Sequence, residues 1–161
     1  MKTTPLLTYE KPGKYESSRL EKIHNLIFDN SVAGSIAVAN EIATLIKEKQ
    51  QTNSICVLGL ATGSSPIKVY EELIRLHKED NLSFKNVVTF NLDEYFPMQH
   101  DDIQSYHYFM NEYLFKHIDI LPENINIPNG ECTVEESLVL CTQYEEKIKK
   151  LGGIDFQLLG I

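Results

Sequence analysis

Asn53-Ser54-Ile55-Cys56-Val57-Leu58-Gly59-Leu60-Ala61-Thr62-Gly63-Ser64-Ser65-Pro66 is the stretch that decides the fold. Its first half is a short apolar run, Ile55-Cys56-Val57-Leu58, of the kind expected of a strand buried on both faces. Its second half is a loop of small residues that gives way to a helix at Pro66. Proline is favoured at the first helical position, and Ser65 before it is a good N-cap. The helix is expected to run to about residue 78.

The same alternation extends in both directions. Upstream, Val32, Ile36, Ala39, Ile42, Ala43 and Ile46 recur at helical spacing and predict a helix over residues 32–50, with Ser31 as its N-cap. Downstream, Val87-Val88-Thr89-Phe90 centres a second buried strand over 86–92, followed by a polar loop over 93–103 and a helix over 104–116. A short strand is expected at 124–127. Thr133-Val134-Glu135-Glu136 is a capping-box pattern that opens a fourth helix, ended near residue 150 by Gly152-Gly153. Phe156-Gln157-Leu158-Leu159-Gly160-Ile161 begins another strand. Strands alternating with helices predict an α/β fold: a three-layer, Rossmann-like, mainly parallel sheet with helices on both faces. Residues 1–28, with Pro5, Pro12 and Gly13, read as an arm with a short helix near 19–27. Residues 29–161 read as the N-terminal part of a domain, truncated on a central strand.

Composition narrows the function classes. With 161 residues, 42% hydrophobic and 24% charged, the chain can build one soluble core. A formal net charge of −8 argues against nucleic acid as a partner, because phosphate backbones select basic surfaces. It leaves room for a small anionic ligand held by backbone N–H groups. No apolar run approaches the roughly 20 residues that span a bilayer, so no membrane partner is expected. Three cysteines, Cys56, Cys132 and Cys141, at spacings that fit no zinc pattern, suggest a reducing cytoplasmic setting, with Cys56 a buried small hydrophobe. The five histidines are scattered, and no metal site is expected. A homo-oligomer is allowed by the sequence and not required by it.

Two loops carry the candidate chemistry, and both follow strands, so a parallel sheet places them on one edge, where such folds bind ligands. In the first, Thr62, Gly63, Ser64 and Ser65 precede a helix whose first amides lack internal partners. Gly63 permits a positive φ or close backbone approach, the hydroxyls add donors, and the helix dipole favours an anion such as a phosphate monoester. The loop is neither a Walker A motif nor Gly-x-Gly-x-x-Gly, so no nucleotide cofactor is implied. An ordinary capped strand-to-helix turn would look similar. In the second loop, Asp93 and Glu94 stand at the end of a buried strand. A carboxylate partly shielded from water becomes a stronger base, as proton abstraction beside a carbonyl requires. A plain turn would also accommodate the pair. Ser105 and Tyr106 can reach the same edge, whereas Phe109 and Tyr113 read as core contacts.

Together these segments resemble the glucosamine-6-phosphate deaminase family, within a wider group that includes 6-phosphogluconolactonase. The resemblance rests on Leu58-Gly59-Leu60-Ala61-Thr62-Gly63-Ser64-Ser65-Pro66, on Val87-Val88-Thr89-Phe90-Asn91-Leu92-Asp93-Glu94-Tyr95, and on Ser105-Tyr106-His107-Tyr108-Phe109-Met110. It is extended by Pro122-Glu123-Asn124-Ile125-Asn126-Ile127, Gln143-Tyr144-Glu145-Glu146-Lys147-Ile148 and the run from Gly153. Tyr95 after Asp93-Glu94 favours the deaminase over the lactonase, whose acidic loop usually reads Asp-Glu-Arg.

The resemblance implies conversion of glucosamine 6-phosphate to fructose 6-phosphate and ammonia, without a cofactor, in amino-sugar catabolism. It makes Asp93 the residue that moves a proton between C1 and C2 of the opened sugar. It makes Thr62, Gly63, Ser64 and Ser65 substrate-binding residues near the phosphate of this small-molecule sugar-phosphate partner, with Glu94 and Tyr106 beside them. Ser64 departs from the family, where a second glycine is common. The ring-opening histidine and its acidic partners lie, in the family, in a glycine-rich loop that would follow Ile161. The 161 residues alone are therefore expected to be inactive. A lactonase of the same fold, or a non-catalytic sugar-phosphate sensor, are the alternatives.

Overall fold

The structure, a computed structural model, describes residues 25–160. The arm expected over residues 1–28 and its short helix lie almost wholly outside the described residues; residues 25–28 carry no regular structure.

Helix α1 (Ser31–Gln51) is capped by Asn30 rather than Ser31: the Asn30 carboxamide oxygen accepts the Ala33 N–H at 2.9 Å. Asparagine is as good a cap as serine, and this one satisfies an amide that the helix itself cannot. Strands β1 (Cys56–Leu60) and β2 (Val87–Asn91) are buried at every position, as a sheet covered on both faces requires. They pair in parallel from Cys56 opposite Val87 to Leu60 opposite Asn91. Helix α2 (Ile67–Asp80) buries Val69, Tyr70, Leu73 and Leu76, a stripe along one face. Asn81, in the left-handed region at φ 55°, ends it.

Helix α3 (Tyr106–Tyr113) is shorter than expected. The Ser105 hydroxyl caps it by accepting the Tyr108 N–H, and after Leu114 the chain tightens into a 3₁₀ turn, Phe115–His117. A second 3₁₀ turn, Pro122–Asn124, leads into β3 (Ile125–Asn126). Helix α4 (Val134–Lys150) opens with the expected reciprocal bonds between Thr133 and Glu136, and β4 (Phe156–Gln157) follows two glycines with φ of 90° and 99°.

The sheet order is β3-β2-β1-β4, with every pairing parallel. The chain steps outward from β1 to β2 to β3, then crosses back to place β4 on the far side of β1. The order therefore reverses between β1 and β4. Helices α1, α2 and α3 pack on one face through Ile42, Ile46, Tyr70, Leu73 and Met110. Helix α4 covers the other through Tyr144 and Ile148 against Val57, Val88 and Phe90. This is the three-layer arrangement that the alternating pattern predicts.

The amino ends of the strands are fastened by carboxylates. Asp155 accepts the Val57 N–H at 2.9 Å and pairs with the Lys49 ammonium at 2.5 Å. Asp119 accepts the Phe84 N–H at 2.6 Å and the Ser83 hydroxyl at 2.7 Å just before β2. Burial first, then the Asp155 charge, pushes the Cys56 thiol up to about 12, so it behaves as an inert core residue. Phe109 packs against the core as expected, but Tyr113 is 42% exposed, its ring tilted by 36° against that of Phe109.

Candidate active site

The site stands at the carboxyl ends of β1 and β2. Because Leu60 and Asn91 are paired, the loops that follow them leave the sheet side by side. The Asn91 side chain strengthens the junction by donating to the Leu60 carbonyl at 3.4 Å.

The loop of residues 61–66 is held from below. The hydroxyl of Tyr70, a fully buried residue one turn into α2, donates to the Ala61 carbonyl. Gly63 has φ 93°, and a Cβ there would meet nothing within 4 Å. The glycine is thus required for its backbone conformation and not for a close approach. Helix α2 starts at Ile67, with Pro66 before it, and no side chain caps it. The expected Ser65 cap is not made: Ser64 and Ser65 are exposed. The Ile67 and Lys68 amides consequently have neither intrahelical nor side-chain acceptors, whereas the Val69 N–H donates to the Pro66 carbonyl at 2.9 Å, and the open pair stand at the edge beside exposed hydroxyls.

The loop of residues 92–105 is held by side chains. Glu94 accepts the N–H groups of Tyr106, at 2.9 Å to each oxygen, and of His107 at 3.1 Å, as well as that of Tyr95 at 2.9 Å. Its carboxylate therefore sits on the amino end of α3, where negative charge is favoured. Gly130 closes the loop from the other side. Its carbonyl accepts the Met98 N–H at 2.8 Å, and a Cβ on it would lie 2.6 Å from the Tyr95 carbonyl oxygen.

Tyr106 connects the two loops. Its hydroxyl lies near the side chains of Tyr95 and Thr62, and Asp93 is close enough to act on it electrostatically. The neighbouring Tyr95 side chain first, then partial burial, then the Asp93 charge, raise the phenol above its ordinary range against the opposing effect of Thr62. The Tyr95 and Tyr106 rings lie 4.9 Å apart, tilted by 43°. Beside them opens a cleft of about 700 Å³ lined by Gly63, Tyr95, Phe96, Met98, Ile103 and Tyr106 among others. Asp93 itself is exposed, two residues beyond the end of β2. The shielding that would strengthen it as a base is not supplied by the described residues.

Thr62, Gly63, Asp93 and Tyr106 are thus brought to one edge, and Ser64 and Ser65 flank them in the open. Glu94 is nearby, but its oxygens are engaged by backbone amides. Sequence reasoning gave Tyr70 and Asn91 no role and used Tyr95 only to favour one branch of the family. Tyr70 lies within an apolar helical stripe, where nothing distinguishes a structural hydroxyl from a core ring. Among the described residues, no group of three or more His, Cys, Asp or Glu side chains is placed to hold a metal ion. No described helix is long and apolar enough to cross a membrane.

Residues 29–161 match the family of glucosamine-6-phosphate isomerases/6-phosphogluconolactonase. The chain belongs to this family. It is 47% identical over 124 residues to the glucosamine-6-phosphate deaminase of Thermoanaerobacter pseudethanolicus, covering 77% of this chain and 48% of the relative. A glucosamine-6-phosphate deaminase-like protein of Bacteroides thetaiotaomicron is 44% identical over 156 residues, covering 95% of this chain and 24% of that protein. Among solved structures, a monomeric glucosamine-6-phosphate deaminase superposes with a TM-score of 0.77 at 44% identity, over 83% of this chain and 53% of the other. The 6-phosphogluconolactonase of Thermotoga maritima gives 0.67 at 25% identity, over 85% and 58%. The chain spans about half the length of the curated deaminase. Relatives named as deaminases are the more similar group, in keeping with the Asp93-Glu94-Tyr95 sequence.

Proposed function

We propose that the protein carrying this chain is a cytoplasmic glucosamine-6-phosphate deaminase, which isomerises the opened aldose and releases ammonia to give fructose 6-phosphate. The observation that carries this reading is that Thr62, Tyr106 and Asp93 meet where the loops after the paired residues Leu60 and Asn91 leave the sheet, which sets an anion-binding loop beside an acidic one. In this reading the amides opening α2, with Thr62, Ser64 and Ser65, hold the phosphate. Asp93 takes the proton from C2 and returns it at C1 through an enolamine-like species, and water then hydrolyses the resulting C2 imine to the ketone and ammonia. Tyr106 holds the two loops at a fixed separation, and Glu94 supports it from the amino end of α3. The 161 residues by themselves carry the proton-transfer carboxylate without the ring-opening histidine of the family, and they are expected to lack turnover.

The test is release of ammonium and fructose 6-phosphate from glucosamine 6-phosphate by the protein that carries the chain, with hydrolysis of 6-phosphogluconolactone as the comparison. Asp93→Asn should lower kcat by roughly a hundredfold or more while substrate binding persists, since a positioned general base contributes about that much. Lactone hydrolysis without ammonium release would replace this reading with the lactonase.

A further inference from the structure

His107 is the second residue of α3 and the mechanism above does not use it. Its ring stacks on that of His100, with centroids 3.8 Å apart and planes 24° apart. The Pro128 carbonyl lies close enough to the ring to favour a proton on it. One ring nitrogen, Nε2, is buried without a hydrogen-bond partner. This geometry accommodates a neutral imidazole with its proton on Nδ1, because a lone pair on Nε2 tolerates the site better than a donor without an acceptor. His107 also lies where three pieces of chain meet. Its backbone N–H is held by Glu94 of the acidic loop, His100 belongs to the same loop, and Pro128 precedes the segment that receives Met98. The His100 N–H in turn donates to Glu131 at 2.9 Å, and the buried Ser105 hydroxyl donates to the His100 carbonyl at 2.8 Å.

We propose that His107 is a positioning residue: its neutral ring, stacked on His100 and set beside Pro128, fastens the acidic loop to residues 128–131, and protonation of that ring loosens the loop bearing Asp93, Tyr95 and Tyr106. The charged and titratable groups facing it are His100, Glu94 and Glu131. Protonation places a second cation-capable ring against His100 and creates a buried N–H with no acceptor. The two carboxylates oppose this but are already engaged with the Tyr106, His107 and His100 amides. Burial first, and His100 second, lower the tendency of His107 to take up a proton, so the fastened state is the one present at neutral pH.

The proposal rests on the deaminase reading only for the reaction that the loop serves, so its main test needs no turnover. In the 161-residue chain, imidazole and amide NMR signals are followed between about pH 5 and 8, the range in which histidines titrate. His107 should titrate below the ordinary histidine midpoint of about 6.5. The amides of Tyr106, His107, Gly130 and Glu131 should shift with that same midpoint. His100→Gln removes the facing ring and should move the midpoint upward; His107→Phe keeps an aromatic ring and should abolish the amide response. Amides that do not follow His107, a pH response retained in His107→Phe, or a midpoint unmoved by His100→Gln each overturn the proposal. If His107→Phe does not fold, the His100→Gln midpoint decides. Coupled amides in a protein without deaminase turnover would sink the enzymatic reading and leave this one standing. In the active protein, the acid limb of kcat should follow the His107 midpoint and move with it in His100→Gln.

Discussion

The loop after β1 and the loop after β2 start from paired residues, Leu60 and Asn91, yet they are secured by different means. The first is short, carries no side-chain cap and depends on one buried phenol below it, that of Tyr70. The second is longer and is gathered around a carboxylate, that of Glu94, and pressed from outside by Gly130. The difference follows from what each has to present. A loop that offers backbone amides must leave them unoccupied, so its support comes from beneath. A loop that offers a carboxylate and a phenol must fix two side chains, and it uses side chains to do so. The first should tolerate changes in its hydroxyls and resist changes in its backbone, whereas the second should fail wherever its clamps are touched.

The largest effect should come from Gly130→Ala. The new methyl would meet the Tyr95 carbonyl oxygen at 2.6 Å and the Met98 backbone carbonyl at 2.9 Å. Neither is the end of a flexible side chain, so the loop must move. A loss of about 3 kcal/mol is expected, at the upper end of overpacking costs, read from urea unfolding. Little change in stability would show that the acidic loop is not pressed in place. Glu94→Ala should come next, at about 2 kcal/mol, because it removes the charged acceptor of the first α3 amides. Its turnover should fall further than Glu94→Gln, which retains one oxygen. Equal turnover in the two variants would mean that Glu94 acts directly on the substrate and not through α3.

The contrast also explains what the sequence discloses and what it conceals. The buried strands, the order of elements and the Thr133–Glu136 capping box are visible because they depend on local pattern, an apolar run or a residue spacing. The limits of α3 are less visible. Whether the helix begins at Tyr106 or earlier depends in part on Glu94, twelve residues before Tyr106, and no periodicity records that bond. Thr62, Gly63 and Asp93 can be picked out by residue type at strand ends. Tyr70, whose hydroxyl is decisive and whose ring looks like any core ring, cannot. Ser65 misleads for a related reason: it has a capping side chain at the capping position, but the chain turns one residue later, at Pro66.

For the first loop, Gly63→Ala isolates the cost of backbone conformation. No atom lies within 4 Å of the added methyl, so only the φ of 93° opposes it. About 1 kcal/mol is expected, the cost of placing a residue with a Cβ in a left-handed conformation. Affinity for inorganic phosphate, measured by calorimetry, should fall more than stability does. Ser64→Ala should change that affinity less than Gly63→Ala. The reverse order would mean that hydroxyls, and not amides, hold the anion.

The smallest effect concerns the opposite edge, where carboxylates fasten strand beginnings in place of strand ends. Partial burial would raise the Asp155 carboxyl, but the Lys49 ammonium and the Val57 N–H prevail and hold it below its usual range. Asp119 is treated alike: burial opposes, and the Phe84 N–H, the Ser83 hydroxyl and His77 prevail. In both, the folded pKa lies below the unfolded one. Their stabilisation is therefore complete above the unfolded value of about 3.9 and is lost as pH falls through the folded value. The melting temperature should be steady from neutral pH to about pH 5 on account of these two groups and should drop below about pH 4. Asp155→Asn should start with a lower melting temperature at pH 7 and show a shallower acid drop, because the group that titrates is gone. An acid drop as steep as that of the unaltered chain would place the titrating groups elsewhere. His107 loosens the ligand edge on the acid side of neutrality and these aspartates loosen the far edge only in stronger acid, so the two transitions should separate along the pH axis. Amide signals near Gly130 should report the first and those of Val57 and Phe84 the second.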